Sequence, residues 1–176
     1  MKMNAKALRL SVGDEEIKKQ IKKNPIYIIL DNVLDTYNIG AVFRLADAVA
    51  AEKVILCAGS ETPPNSRIKK ASINTTEWVS WSYASTAVEA IQELRIKNKE
   101  LMVIAVEQDK RSVPFQKTEY SFPIVLVVGH ETEGVSKEVL DLCDKIVELP
   151  MYGINISLNV MVSLGIVLYQ IVKLLE

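Results

Sequence analysis

Short apolar runs rich in β-branched residues alternate with helical patterns along the chain, and this alternation constrains the fold more than any other feature. Five of the runs are continuous and are bounded by Gly, Pro, Asp or Asn: residues 26–30, 53–57, 101–106, 124–129 and 145–149. Continuous apolar runs are typical of strands buried on both faces, whereas half-exposed strands alternate apolar and polar residues. Residues 78–83, WVSWSY, fit a shorter edge strand.

Helical patterns fill the segments between these strands: residues 38–51, 85–99, 136–145 and 157–175. Ser136 is a suitable N-cap residue for the third of them. This order predicts an α/β fold with a mostly parallel sheet and helices on both faces. Ligands of such sheets bind beyond the carboxyl ends of the strands. The loops at 31–40, 106–113, 129–136 and 149–158 are therefore the candidate ligand loops.

The first of these loops reads DNVLDTYNIGAVFR. Asn38 lies where a helix would begin, Gly40 leaves the backbone bare, and Arg44 follows in the second turn. An arginine near a helix N-terminus at the ligand edge suits a phosphate, because guanidinium offers a planar fork of donors. An alternative without a ligand is a routine N-cap at Asn38 and an Arg44–Asp47 ion pair.

The loop VVGHETEGVS leads from a strand through Gly129, Glu131 and Gly134 into a helix. It differs from the dinucleotide motif G-x-G-x-x-G because Glu131 replaces the middle glycine, and a carboxylate there would repel a pyrophosphate. The glycines instead let the backbone approach an uncharged or cationic ligand closely. An ordinary turn with solvated glutamates is the alternative. His130 is the only histidine, so no metal site is predicted.

Residues 151–172 contain no charged side chain and are long enough to span a bilayer. The stretch is nevertheless too polar for a membrane span, because it holds Asn155, Ser157, Asn159, Ser163 and Gln170. It is predicted to form a buried helix whose polar first turn faces a site, with Gly153 permitting a tight path before it. Burial of most of its faces predicts a subunit interface as well as a core.

The net charge of the 176 residues is -1, which argues against a generic nucleic-acid binder but leaves a local basic face possible. The two cysteines are far apart in the sequence, which makes a zinc site or a disulfide framework improbable. Residues 1–24 carry most of the clustered lysines and are predicted to be a short basic helical extension, with RIKK at 67–70 as a second basic cluster. Residues 25–176 are predicted to be a single domain. No signal-peptide pattern is evident, so the expected location is cytoplasmic.

Three segments in order, NIGAVFR, VVGHETEGVS and LPMYGINISLNV, resemble the motifs of the SPOUT methyltransferases of the TrmH/SpoU family. This branch methylates RNA ribose 2'-hydroxyls with S-adenosylmethionine (AdoMet). The resemblance covers about residues 25–175. It implies a C-terminal deep trefoil knot that binds AdoMet in a bent conformation, and a homodimer formed through the last helix and the Asn38–Arg44 helix.

The resemblance also implies residue roles. The expected AdoMet contacts are Glu107, Gly129, Leu149, Met151, Ser157 and Leu158. The expected catalytic group is Arg44, Asn38, Glu131, Ser157 and Asn159. Because arginine is normally protonated, Arg44 can be either the activator of the hydroxyl or a group that grips a phosphate and stabilises the alkoxide.

ASINTTEWVSW and VIAVEQDKRSVPF are similar to stretches in the catalytic domain of tRNA guanosine-18 2'-O-methyltransferases. The expected substrate is therefore tRNA, with a guanosine in the D-loop, and rRNA is the alternative. Larger members carry RNA-binding arms, whereas only about 24 residues precede the first strand here. Because such arms are short in this sequence, a helper protein is a possible further partner. A catalytically silent RNA-binding module, a base methyltransferase and a nucleotide-dependent oxidoreductase are the competing hypotheses.

Overall fold

The computed structural model describes residues 2–175, and within this range seven strands form one sheet. In chain order they are β1 (Asn24–Asp31), β2 (Ala51–Cys57), β3 (Trp81–Ala84), β4 (Met102–Val106), β5 (Val113–Pro114), β6 (Ile124–Gly129) and β7 (Lys145–Glu148). Their spatial order is β3-β2-β1-β6-β4-β7-β5, and each neighbouring pair is parallel. The predicted parallel α/β sheet is confirmed, and the trefoil knot stays a prediction.

The described range contains seven helices: α1 (Ala5–Leu10), α2 (Glu15–Gln20), α3 (Thr36–Ala48), α4 (Ser66–Ser72), α5 (Ala87–Lys97), α6 (Lys137–Leu140) and α7 (Val160–Val172). α3 and α7 pack on one face of the sheet, and α5 and α6 pack on the other. Short 3-10 turns lie at Thr75–Glu77, Phe115–Lys117 and Lys173–Leu175. Within the described range, none of these helices combines the length and apolarity needed to cross a membrane.

The core has two layers because successive residues of a strand point to opposite faces of the sheet. Ile28 and Leu30 of β1 pack in the cluster that includes Phe43 of α3. Ile29 packs on the other face with Ile91 of α5. All five side chains are fully buried, which explains the continuous apolar runs.

Two helices begin at other residues than predicted, because a side chain caps the helix N-terminus at a different position. α3 begins at Thr36, because Asp35 is its N-cap and accepts a hydrogen bond from the Tyr37 N–H at 2.8 Å. The expectation of an N-cap at Asn38 is therefore wrong. Asn159 caps α7 through the Met161 N–H at 3.0 Å, so this helix begins at Val160 rather than at Ser157.

The predicted helix at 136–145 is reduced to the four residues of α6. The reason is Asp144, whose backbone N–H bonds to the Val103 carbonyl at 2.8 Å and whose carboxylate accepts from the Val103 N–H at 2.7 Å. These contacts draw the chain to the start of β4 before a second helical turn can form. Two elements, α4 and β5, were not predicted.

The N-terminal helices α1 and α2 pack near the turn that follows α4. Asn74 donates hydrogen bonds to the carbonyls of Leu8 and Ser11 at 3.1 and 2.7 Å, and the Trp78 indole donates to the Ser11 hydroxyl at 2.9 Å. The division into an extension before residue 25 and a single domain after it stays a prediction.

Candidate active site

A cavity of about 310 Å³ lies at the carboxyl edge of the sheet, between the loops that follow β4, β6 and β7. Its size is at the lower end of small-molecule pockets, about 300 to 1,000 Å³. The six residues expected to contact AdoMet all line it: Glu107, Gly129, Leu149, Met151, Ser157 and Leu158. Two members of the expected catalytic group line it as well, Glu131 and Ser157, the latter belonging to both sets.

One wall of this cavity is the glycine loop, residues 129–136. The loop folds back on itself, and the backbone groups of His130 and Gly134 exchange two hydrogen bonds at 3.0 and 2.9 Å. A Cβ atom at Gly129 would lie 2.2 Å from the Gly134 backbone, so no side chain fits there. Gly134 itself has φ +73°, a conformation that favours glycine.

Glu107 supports this wall from the end of β4. Its Oε2 atom accepts a hydrogen bond from the Val135 N–H at 2.8 Å, and its Oε1 atom accepts from the Gln108 N–H at 2.8 Å. A Cβ atom at Gly134 would lie 2.2 Å from Oε2. Glu107 therefore reaches Val135 only because residue 134 has no side chain.

A chain of polar side chains leads away from the cavity wall. The Glu131 carboxylate accepts hydrogen bonds from the Asn38 amide at 3.0 Å and from the backbone N–H groups of Asp35 and Leu34 at 3.0 and 3.2 Å. The Asn38 Oδ1 atom in turn accepts from the Asn159 amide at 3.0 Å. Three of the five expected catalytic residues are thus joined directly.

The hydrogen bonds fix the charge state of Glu131. Partial burial raises its pKa, but the bonds from Asn38 and from the backbone N–H groups of Asp35 and Leu34 stabilise the charged form, and the net result is a lowered pKa. The carboxylate is therefore ionised at neutral pH. It is suited to orienting Asn38 and the start of α3, and poorly suited to abstracting a proton.

The opposite wall is the β7–α7 loop, residues 149–159. Ser157 and Leu158 are exposed on this loop although they line the cavity. Gln108 contacts the loop from across the cavity, where its amide donates to the Ile156 carbonyl at 2.5 Å. Sequence reasoning missed Gln108, although its place beside Glu107 at the end of a buried strand was a usable signal.

Within one chain, Arg44 lies apart from the cavity and from the hydrogen-bonded side chains of Glu131, Asn38 and Asn159. It is exposed on α3, does not line the cavity, and makes no ion pair or hydrogen bond with any other side chain in residues 2–175. The expected alternative of an Arg44–Asp47 pair does not form. Likewise, no group of three or more His, Cys, Asp and Glu side chains in this range is placed to hold a metal ion.

Residues 25–169 match the SpoU rRNA Methylase family. The chain is 34% identical over 153 residues to the tRNA (guanosine(18)-2'-O)-methyltransferase of Aquifex aeolicus, covering 85% of this chain and 69% of that protein. It is 30% identical over 169 residues to the 23S rRNA (guanosine-2'-O-)-methyltransferase RlmB of Ralstonia nicotianae, covering 96% of this chain and 67% of that protein. The chain belongs to the SpoU rRNA Methylase family.

The fold agrees with this membership. The AdoMet-bound rRNA methyltransferase from Sinorhizobium meliloti superimposes with a TM-score of 0.80 at 26% identity, covering 90% of this chain and 60% of that one. The family predicted from the three motifs is confirmed, and with it the predicted class of RNA methyltransferase. The roles of individual residues in this SpoU chain stay predictions.

The SpoU cavity fits a compact cationic cofactor. The glycine loop brings bare backbone to the cavity, and the carboxylates of Glu107 and Glu131 line it. These charges attract a sulfonium and repel a pyrophosphate, which favours AdoMet over a dinucleotide. Leu149, Met151 and Leu158 are among the apolar residues of the lining.

Proposed function

We propose that this chain transfers the methyl group of AdoMet to the ribose 2'-hydroxyl of a guanosine in the tRNA D-loop. The observation that carries the proposal is the position of Glu131, which lines the cofactor cavity and also holds Asn38 and, through it, Asn159. The cavity and the polar chain form one continuous site. In family members these two parts serve cofactor binding and catalysis.

AdoMet supplies an already electrophilic methyl group, so the residues of the chain need only place the 2'-oxygen in line and help it lose its proton. The Glu131–Asn38–Asn159 chain provides fixed polar atoms for the ribose. Ser157, at the open side of the cavity, offers a further hydroxyl. Arg44 is assigned to the RNA phosphate beside the reacting nucleotide, where its charge stabilises the developing alkoxide.

The arginines support a phosphate-binding role for the α3–α4 surface. Residues 24–175 contain four arginines, and Arg95 and Arg111 form ion pairs with acidic side chains. Arg44 on α3 and Arg67 on α4 are exposed and form none. The two helices pack closely, because Gly40 of α3 meets the backbone of α4. Unpaired guanidinium groups on adjacent helices suit an RNA backbone.

The N-terminal lysines are less suited to bind RNA than the arginines of α3 and α4. Lys18 and Lys19 of α2 pair with Glu15 and Glu16 at 2.7 and 2.8 Å. Surface pairs of this kind are screened and easily exchanged, but α2 has two glutamates beside its two lysines and therefore carries no net positive charge. We therefore assign the principal RNA contacts to α3 and α4, and we retain a helper protein as a further partner.

We also propose a homodimer through α7 and α3. The outward face of α7 exposes Val162, Ile166 and Tyr169, and Tyr37 is exposed on α3. Apolar side chains at this spacing form one stripe of a helix, and such stripes are typical of protein–protein contacts. The predicted cytoplasmic location stays a prediction.

The test is methyl transfer from labelled AdoMet to separate pools of total tRNA and total rRNA, followed by digestion to nucleosides and mass spectrometry. We expect 2'-O-methylguanosine from tRNA, and a loss of roughly 100-fold or more in Arg44→Ala, the scale of one transition-state stabilising group. Arg95→Ala is the matched control, because Arg95 is engaged in an ion pair remote from the cavity lining.

Each outcome separates the candidate functions. A product from rRNA alone would select the second candidate, which the similarity to RlmB favours. AdoMet binding without transfer to either pool, also in the presence of cell extract, would indicate a catalytically silent RNA-binding module. Full activity in Arg44→Ala would remove Arg44 from the catalytic group.

A further inference from the structure

Asp31 lies at the carboxyl end of β1 beside the candidate site, and only 7% of its surface is exposed. Its Oδ2 atom accepts two hydrogen bonds from Ser136, from the backbone N–H at 2.8 Å and from the hydroxyl at 2.7 Å. Asp31 does not line the cofactor cavity. Because a buried carboxylate is costly unless it is hydrogen-bonded, Asp31 and Ser136 hold one another in place.

Ser136 is at the N-cap position of α6, yet its side chain makes no capping hydrogen bond to that helix. Ser at this position commonly accepts from a backbone N–H one turn ahead. Here the hydroxyl donates to Asp31 instead. Ser136 therefore anchors the end of the glycine loop to the sheet rather than stabilising a four-residue helix.

Asp31 holds both ends of the glycine loop. Its backbone is the register partner of Gly129 in the β1–β6 ladder, where the loop begins. Its carboxylate binds Ser136, where the loop ends. Glu107 holds the neighbouring residue, Val135. The base of the loop is thus fixed by one residue of β1 with support from β4.

The tip of the same loop returns to the segment that follows Asp31. Glu131 accepts hydrogen bonds from the N–H groups of Leu34 and Asp35, three and four residues after Asp31. The β1–α3 segment and the glycine loop are therefore joined at the base by Asp31 and at the tip by Glu131. If the base contact is lost, the direction of Glu131 is no longer fixed.

We propose that Asp31 is a positioning residue for methyl transfer, which acts by anchoring Ser136 so that Gly129 shapes the cofactor wall and Glu131 reaches Asn38. The proposal rests on the function proposed above. Asp31 acts through the loop and has no contact with the cavity. Neither the family match nor the residues expected from the sequence assign it a role.

The first test compares Asp31→Ala, Asp31→Asn and Ser136→Ala in steady-state kinetics with AdoMet and tRNA. We expect Asp31→Ala to lower kcat by about 10-fold to 100-fold, the scale of a small misplacement, and to raise KM for AdoMet. Asp31→Asn keeps an oxygen acceptor and should recover most of the loss. A residue that only stabilises the fold would lower the active fraction and leave both KM values unchanged, which would overturn the proposal.

A double-mutant cycle tests whether Asp31 works through Glu131. We expect Asp31→Ala to reduce kcat strongly in the wild-type background and by less than about 2-fold in the Glu131→Gln background, because residues acting as one unit are not additive. Losses that multiply would show that Asp31 acts independently of Glu131. Glu138→Ala is the matched control, because this carboxylate is exposed on α6 two residues from Ser136.

Amide hydrogen exchange gives a readout that does not need activity. In Asp31→Ala we expect faster exchange within residues 130–136 and unchanged protection in residues 124–128 of β6. If the wild type transfers no methyl group to any RNA, the proposed function fails, while this measurement still decides whether Asp31 holds the glycine loop. Uniformly faster exchange across the sheet, or an unchanged loop, would contradict it.

Discussion

The glycine loop and the β7–α7 loop border the same cavity but are held in opposite ways. The glycine loop is fixed by side chains from other elements: Asp31 binds Ser136, Glu107 binds Val135, and Glu131 reaches the start of α3. Residues 152–159 of the β7–α7 loop are all exposed. Within residues 2–175, the hydrogen bonds from these loop residues to other segments are Gln108–Ile156 and Asn159–Asn38.

This difference teaches that the cavity has one preformed wall and one adaptable wall. A wall fixed in advance lowers the ordering cost of ligand binding, whereas a segment with few buried contacts is drawn from the low-stability part of a fold. Tyr152 and Ile154 are almost fully exposed on the adaptable wall. We expect bound AdoMet to order this wall.

The largest expected effect comes from a pair of matched glycine substitutions. A Cβ atom at Gly129 would lie 2.2 Å from backbone atoms, whereas one at Gly153 meets nothing within 4 Å. We expect Gly129→Ala to lower the free energy of unfolding by about 3 kcal/mol, the upper range for overpacking, and to abolish AdoMet binding. Gly153→Ala should change stability by less than about 0.5 kcal/mol. Urea unfolding and calorimetry with AdoMet measure both quantities.

Equal effects at the two positions would break the comparison, because both walls would then be equally fixed. A tolerated Gly129→Ala would show that the glycine loop moves as freely as its counterpart. Loss of AdoMet binding in Gly153→Ala with unchanged stability would instead show that the adaptable wall needs glycine for its bound conformation.

The Gln108 contact should matter for the cofactor more than for the fold. Gln108→Ala removes one of the few hydrogen bonds that hold the β7–α7 loop over the cavity. We expect AdoMet affinity to fall by about 5-fold to 10-fold, equivalent to one hydrogen bond of roughly 1 kcal/mol, with little change in unfolding. Lys110→Ala, an exposed change in the same segment, is the control. A stability loss equal to the binding loss would show that Gln108 serves the fold instead.

The sheet could be predicted because its signal is local. Each central strand is a continuous apolar run, and burial on both faces requires that composition. β5 and α4 carried no such signal: β5 has two residues, and α4 buries only Ile68 and Ser72 while exposing its basic side chains. A helix held by an Asn65 cap and by contact with Gly40 depends on tertiary structure that sequence periodicity does not report.

The sequence predicted which residues form the site, but it did not predict the hydrogen bonds that join them. Motif positions placed Glu131, Asn38 and Asn159 in one group, and the structure joins them by hydrogen bonds. The role of Asp31 could not be predicted from the sequence, because its hydrogen-bond partner, Ser136, lies 105 residues away. Without that partner, a carboxylate at the end of a strand resembles any loop residue. The glycines were equally ambiguous, since Gly153 was expected to permit a tight path but lies in open space.

The smallest expected effect is the pH dependence of the stability that Glu131 contributes. The Glu131 pKa is lowered because the hydrogen bonds to its charged form outweigh burial, so its contribution to stability is present at neutral pH and is lost as the pH falls through the folded value, from about pH 5 downward. We expect Glu131→Gln to reduce the free energy of unfolding by less than about 1 kcal/mol at pH 7, because the carboxylate is exposed and screened, and by progressively less as the pH falls through the folded pKa.

The adaptable wall provides the control, because the β7–α7 loop contains no carboxylate. The stability difference between Asn155→Ala and the wild type should therefore stay constant between pH 7 and pH 3.5 in urea unfolding. If the Glu131→Gln difference is also constant, the hydrogen bonds do not favour the charged form, and the glycine loop is held by Asp31 and Glu107 alone. If it shrinks in acid as expected, the preformed wall depends on the ionised Glu131 as well as on Asp31 and Glu107.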